Sequence, residues 1–532
     1  MKKALKTILL LCITNLAVWG QAFNKIDGDT QNLIDSTYNA LLEKHNITGT
    51  SIAIVENGEI VYATGYGFQD KENNIKADAT TIYRIGSCTK SFTALAVMQL
   101  QEQKKLAIED AIQTYLTAIS IKTPAGEENP IKIKDILTHS SGLPSDIMNG
   151  FVCDSPPNSD WLIQQLNNCY MAAPAGYQHS YSNMGYNLLG KLIEVASQHD
   201  YETYLEENIF KPLSMSSTFV KRGDQFKGQV SKGYDGNKPM QEALIRDESA
   251  GLIQSNVLDM CNYINMYIAK GKSNKIQILS AKSIQEMEAD GIKDIVLPTG
   301  NSWGYGLYSS NYSANSPKDT VPVKIIGHGG DTWVFHSDFK YIPELNIGAI
   351  VLTNSKSGSR ISSANKLLKL YLKSAHEMSI VPREKDSNPA QIEDQLCDAD
   401  DIVGQYYFSG MGMQVKKAKR IKIRLAPIAK LILKPTNDSL RYQGKVVTFG
   451  FLSKAITHQE YRFVERDDKI YFKVIHMRSG EEDYVSEKSE FKKLSKLWNN
   501  RLGTYKVVGD QFACTDCPFV NFEGLEPVSY TH

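Results

Sequence analysis

The chain has 532 residues, 42% hydrophobic and 22% charged, a composition that excludes a disordered or multiply membrane-spanning protein. Its 59 Lys and Arg balance 59 Asp and Glu, leaving no basic surplus for a nucleic-acid or anionic-membrane partner. At roughly 150 residues per domain the length allows two to four domains.

Lys2, Lys3 and Lys6 precede an apolar run from Ile8 to Trp19, with small residues at Gly20 and Ala22. This predicts a secretory signal peptide over 1–20, since the run is too short and one-sided for a membrane span. The mature chain is therefore expected to be periplasmic or secreted, with no membrane span after cleavage. Residues 27–46 place Leu33, Tyr38, Leu41 and Leu42 at helical spacing. Ser51–Val55 and Ile60–Tyr66 are β-rich and flank Glu56-Asn57-Gly58-Glu59, a strong hairpin signal. Ser87–Lys104 reads as a long amphipathic helix, and residues 131–210 as mostly helical with a Pro/Gly/Ser-rich break at 142–159. Strands return from Ile325 (Val334–Tyr341, then Asn346–Thr353), and Ser362–His376 closes as a helix. Strands, a helical middle and strands again predict an α/β (α+β) domain over 21–376, its antiparallel sheet assembled from both ends. Residues 377–401 are polar and charged, the texture of a linker. Short strands follow at Gly404–Phe408, Ile421–Leu425, Lys445–Phe451, Tyr461–Val464 and Ile470–Ile475, predicting a small all-β domain over 402–532. Gly404-Gln405-Tyr406 and Gly503-Thr504-Tyr505 are similar openings and raise the expectation of two β units.

Of eight cysteines, Cys12 falls in the leader, and the odd remainder leaves at least one thiol unpaired in the monomer. Cys153 and Cys169 flank a polar loop and are candidates for a disulfide, as are Cys514 and Cys517. Cys88 and Cys261 sit in apolar helical patterns and read as buried thiols. The sequence holds no GxSxG elbow, HExxH pair, P-loop or dinucleotide fingerprint, so no metal and no organic cofactor are expected.

The chemistry concentrates at Ser87-Cys88-Thr89-Lys90, an SxxK at a Gly-led loop-to-helix junction. At i and i+3 the two side chains share one helical face. A serine hydroxyl needs an adjacent base, and burial suits lysine to the task by disfavouring its ammonium form. SxxK recurs at Ser337–Lys340, Ser363–Lys366 and Ser489–Lys492, but only the Ser87 copy opens a long apolar helix.

Three further stretches stand with it: Ile136-Leu137-Thr138-His139-Ser140-Ser141-Gly142-Leu143-Pro144, Tyr181-Ser182-Asn183, and Gly327-His328-Gly329-Gly330. In this order, over roughly residues 28 to 375, the chain resembles the serine β-lactamase-related family of class C β-lactamases, DD-carboxypeptidases, D-aminopeptidases and esterases. The resemblance implies Ser87 as acylated nucleophile, Lys90 and Tyr181 as its proton partners, and Asn183 as ligand of Lys90 and of the substrate amide. It implies His328, Gly329, Gly330 and Asp331 as the substrate-facing strand, with the backbone N–H groups of Ser87 and Asp331 as oxyanion hole. His139 reads as a structural helix end, outside the site. The third motif departs from the β-lactamase pattern: His328 stands where those enzymes resemble Lys-Thr-Gly. Strong β-lactamase activity is therefore not expected, and His328 is expected to be neutral and to orient Tyr181 by a hydrogen bond. The implied activity is acyl transfer from a small-molecule or short peptide substrate, possibly bearing D-amino acids. An esterase, or a non-catalytic binding protein on the same scaffold, is the alternative.

Overall fold

The computed structural model describes residues 23–489 except for short stretches, the longest being 123–129, 148–156 and 384–394. The leader, the expected second β unit, Cys153, Cys514 and Cys517 lie outside the described residues. Cys169, a candidate for pairing with Cys153, is a free thiol; Cys88 and Cys261 are free and buried, and Cys397 is buried.

Helix α1 (Gly28–His45) starts where the Asp27 side chain accepts the Thr30 N–H and stops where Asn46 turns left-handed at φ 52°. Its buried seam is Thr30, Ile34, Tyr38 and Leu42, while Leu33, expected on the apolar side, faces outward. Strands β1 (Gly49–Glu56) and β2 (Glu59–Asp70) form the expected hairpin. Asn57 and Gly58 both take positive φ, 50° and 84°, as the tight turn demands. β3 (Ile75–Lys76) pairs with β2.

The remaining strands of this sheet come from the far end of the domain. They are β4 (Ser302–Trp303), β5 (Tyr308–Asn315), β6 (Thr320–Asp331), β7 (His336–Ile342), β8 (Ile347–Thr353) and β9 (Ser379–Pro382). Their order is β4-β5-β6-β7-β8-β1-β2-β3, antiparallel throughout, with β9 added on β5. The sheet is thus assembled from both ends, as the sequence predicted, and β9 lies within the stretch read as a linker.

Period-two alternation gives the central strands two apolar faces. Ile52, Ile54, Ala349 and Val351 pack with Tyr38, Leu42, Leu367 and Leu368, from α1 and α5 (Ala364–Ala375). Ala53, Val55, Ile350 and Leu352 join the larger core of α2 (Thr89–Glu102), α3 (Asn183–Ser197) and α4 (Val257–Ile268). Helix α2 is buried at every position from Thr89 to Leu100, so it is a central helix rather than an amphipathic one. A second antiparallel sheet runs from Gln395–Leu396 to Glu482–Ser489, with Leu433, Tyr442, Phe463 and Phe472 in its core. Among the described residues no helix is long and apolar enough to cross a membrane.

Candidate active site

Ser87 sits on a 3-10 turn, Gly86–Cys88, that runs into α2. Gly86 has φ 50°, and a Cβ there would lie 2.8 Å from the Asp331 nitrogen. Across the gap, a Cβ on Gly330 would lie 2.0 Å from the Ile85 carbonyl oxygen and 2.9 Å from the Ser87 nitrogen. The turn and the end of β6 therefore touch backbone to backbone, and only glycine fits at both positions. Ser337, opposite Gly330 in register, donates to the Ile85 carbonyl at 2.7 Å and ties the turn to β7. This contact brings the Ser87 and Asp331 amides to one edge. Gly329 differs, since its nearest neighbour would stay 3.7 Å from an added Cβ.

Lys90, in the first turn of α2, has no exposed surface. Its Nζ donates to Ser87 Oγ at 3.1 Å, to Asn183 Oδ1 at 2.7 Å and to the Ala250 carbonyl at 2.7 Å. Burial lowers its pKa to about 7, against the opposing pull of Asp146 and Asp247. Asn183 opens α3 behind an N-cap at Ser182, whose Oγ accepts the Gly185 N–H at 2.9 Å. That cap fixes Tyr181 just outside the helix, its ring centroid 4.8 Å from Lys90 Nζ. Burial raises the Tyr181 phenol well above its ordinary range, and a hydrogen bond with Ser87 only partly opposes this. Cys88 is pushed up to about 12 by burial, so it stays a thiol.

His328 is buried on β6 beside Trp303, Tyr308 and Tyr181, with ring centroids at 6.1, 5.7 and 6.3 Å. Burial first, then Lys90, holds its pKa down to about 3, so the imidazole is neutral as expected. Its Nδ1 pairs with the Gly329 carbonyl, which places the proton there and leaves Nε2 an acceptor with no partner. The expected hydrogen bond to Tyr181 is not formed. Tyr181 rests instead on His139, whose ring stacks on it at 4.1 Å and whose Nδ1 accepts the Ser182 N–H at 3.1 Å. His139, set aside in the sequence, thus supports the site directly, and Trp303 from β4 packs edge-on against it at 5.3 Å.

Two carboxylates lie close by. Asp146 accepts from Asn183 Nδ2 at 2.7 Å, while the Asn183 N–H donates to the Ser145 carbonyl at 2.9 Å. The amide expected to meet substrate is therefore held by Asp146. Asp331, whose backbone nitrogen lies against the Gly86 turn, turns its side chain to His336 Nδ1. Among the described residues no group of three or more His, Cys, Asp or Glu is placed to hold a metal ion.

A family model described as Beta-lactamase matches residues 34–373, from α1 through α5. The chain belongs to the beta-lactamase family. The matched span contains Ser87, Lys90, Tyr181, Asn183 and His328–Asp331. The chain is 28% identical over 342 residues to Protein flp of Staphylococcus aureus strain MW2, covering 63% of this chain and 65% of that protein. It thus spans somewhat under two thirds of that relative's length. It is 24% identical over 363 residues to a Beta-lactamase of Pseudomonas fluorescens, covering 64% of this chain and 98% of that one. The octameric penicillin-binding protein homologue from Pyrococcus abyssi superposes with a TM-score of 0.55 at 25% identity, covering 86% of this chain and all of that one. This likeness reaches past the beta-lactamase family match into the C-terminal sheet.

Proposed function

We propose that this protein is a serine hydrolase that works through an acyl-enzyme on Ser87, cleaving amide bonds of small peptide-like substrates, D-amino-acid peptides included. The observation that carries the reading is a fully buried lysine, near neutrality in pKa, hydrogen-bonded to a serine whose backbone nitrogen lies at the same backbone contact as that of Asp331. Neutral Lys90 takes the proton from Ser87 Oγ as that oxygen bonds to the substrate carbonyl carbon. The two backbone N–H groups stabilise the negative charge that develops on the carbonyl oxygen. Asn183 Oδ1 and the Ala250 carbonyl hold the resulting ammonium. Tyr181, with its hydroxyl protonated, relays a proton to the leaving nitrogen or oxygen and is re-protonated from Lys90. Water then attacks the ester along the same path, giving its proton back through Tyr181 and Lys90 and releasing Ser87. Of the two proton partners expected from the sequence, this reading gives the base role to Lys90 and the relay to Tyr181.

Esters without a carboxylate suit the same machinery, because His328 is neutral and offers such a group no cation. For the same reason turnover of carboxylate-bearing β-lactams should be weak. We also propose that residues 1–20 direct the chain to the periplasm or the exterior; N-terminal sequencing of the mature protein checks this. The central test is covalent labelling by a fluorophosphonate, read by mass spectrometry. Ser87→Ala should abolish labelling and turnover, and Cys88→Ala should retain most of both. Labelling that survives Ser87→Ala and disappears in Cys88→Ala would overturn the serine mechanism.

A further inference from the structure

Resting on that reading, we infer that Asp146 selects acyl donors carrying a protonated amine next to the scissile carbonyl. Asp146 is one amide group from the base: Lys90 Nζ donates to Asn183 Oδ1 at 2.7 Å, and Asn183 Nδ2 donates to Asp146 Oδ1 at 2.7 Å. Its side chain is exposed, and among the described residues no lysine or arginine pairs with it. The other charges tied to the site are matched. Asp331 is paired with His336, and Arg246 with Asp247 at 2.7 Å, both members of the second pair being buried. Among the described residues of β6, His328 Nε2 is a buried acceptor with no partner, on a ring that faces Tyr181 and Trp303. A substrate entering this site meets one buried acceptor in want of a donor, His328 Nε2, and at Asp146 a carboxylate hydrogen-bonded by Asn183 and Ser145 but, among the described residues, paired with no cation. A carboxylate-bearing substrate would meet like charge, whereas an α-ammonium complements both groups.

Orientation of Asn183 does not account for the charge. An asparagine at 146 would accept the same hydrogen bond through its carbonyl oxygen. The charge also works against the base, since Asp146 pulls the Lys90 pKa upward. What a carboxylate adds over an amide is attraction for a cation, and the substrate is where that cation comes from.

The test uses the full chain and two phenyl esters that differ only in a free or an N-acetylated α-amine, at pH 6.5, where an α-ammonium is mostly protonated. The readout is the ratio of their kcat/KM values in the same variant. Changes common to both esters, including any shift in Lys90, cancel in that ratio, as does the intrinsic reactivity of each ester when variants are compared. Asp146→Asn should cut the preference for the free amine about fivefold or more, and Asp146→Glu should restore most of it. Added salt should erode the preference in the wild type and leave it nearly flat in Asp146→Asn. A ratio that survives Asp146→Asn, or that ignores salt in the wild type, overturns the inference. So does labelling of Ser87 by a fluorophosphonate with neither ester turned over. If no probe labels Ser87 at all, the hydrolase reading itself fails, and that result is distinct from the others.

Discussion

Lys90 places a titratable amine where no water reaches it, and two measurable consequences follow from its pKa near 7. The first concerns rate. The base must be neutral, so kcat/KM on a neutral ester should climb through pH 6 to 8 with a midpoint near 7. Because His328 is held down to about 3, it stays neutral over that range and contributes no limb. The midpoint should therefore persist in His328→Gln, and a limb that vanishes with the imidazole would return the titration to His328. Lys90→Met should lose on the order of 10²–10⁴ in kcat/KM. The second consequence concerns stability. The folded pKa lies below the unfolded value of 10.5, so folding disfavours the ammonium. The resulting cost is fully present below pH 7 and fades as pH rises from 7 towards 10.5. Lys90→Met removes that cost but leaves Asn183 Oδ1 and the Ala250 carbonyl without their donor. Denaturant melts across pH should show the variant's stability relative to wild type highest at neutral pH and falling towards pH 10. A flat difference would mean that Lys90 is not depressed.

The site exists because two elements meet with no side chain between them. Gly330→Ala would drive a Cβ to 2.0 Å from the Ile85 carbonyl, so β6 or the Ser87 turn must move. The two amides then no longer converge, and kcat should fall on the order of 10²–10³ with a smaller change in KM. Gly329→Ala, with 3.7 Å of clearance, is the matched control and should fall far less. This juxtaposition was half legible in the sequence. The SxxK spacing alone puts Ser87 and Lys90 on one face, and the motif order brought Tyr181, Asn183 and His328 into view. Trp303 and Asp146 were not legible, and His139, though inside a quoted motif, was set outside the site, because each reaches it through a tertiary contact that leaves no spacing behind. Helix α2, expected to be amphipathic, differs for another reason. Its polar residues Ser91, Thr93 and Gln99 are all buried. Thr93 Oγ1 donates to the Ser249 carbonyl at 2.6 Å, Gln99 Nε2 to the Ile278 carbonyl at 3.0 Å, and Tyr263 Oη to Ser91 Oγ at 3.0 Å. Polarity marked internal hydrogen bonding there, which a periodicity argument cannot tell from exposure.

On the scale of the whole chain, the strand alternation and the Asn57-Gly58 turn foretold the first sheet, but not how its edge is finished. Polar residues after α5 read as a linker, yet β9 pairs with β5 from Asn315↔Ser379 to Tyr312↔Pro382 and buries Ile380 in the α1–α5 core. Arg383 extends this with a 2.9 Å hydrogen bond from its N–H to the Asn311 carbonyl. A pairing partner this distant in sequence gives a short strand no local signature. The second sheet also touches the catalytic part. Tyr471 Oη lies 2.9 Å from Tyr177 Oη, and Lys469 Nζ donates to that hydroxyl at 2.9 Å, four residues before Tyr181. These contacts predict where the chain can be cut. A chain ending at Arg383 keeps β9 and should stay soluble and still be labelled at Ser87, with a changed rate because the Tyr177 segment has lost its partner. A chain ending at His376 exposes the β5 edge and loses Ile380, a burial worth about 1.5–3 kcal/mol, so it should melt lower and aggregate more readily. In the full chain, Tyr471→Phe removes one hydroxyl from the contact and should move the labelling rate in the same direction as truncation, by a smaller factor. Thermal melts and labelling rates of the four proteins decide the matter. If the chain ending at Arg383 fails to fold, or folds and cannot be acylated, the second sheet completes the catalytic part rather than resting against it.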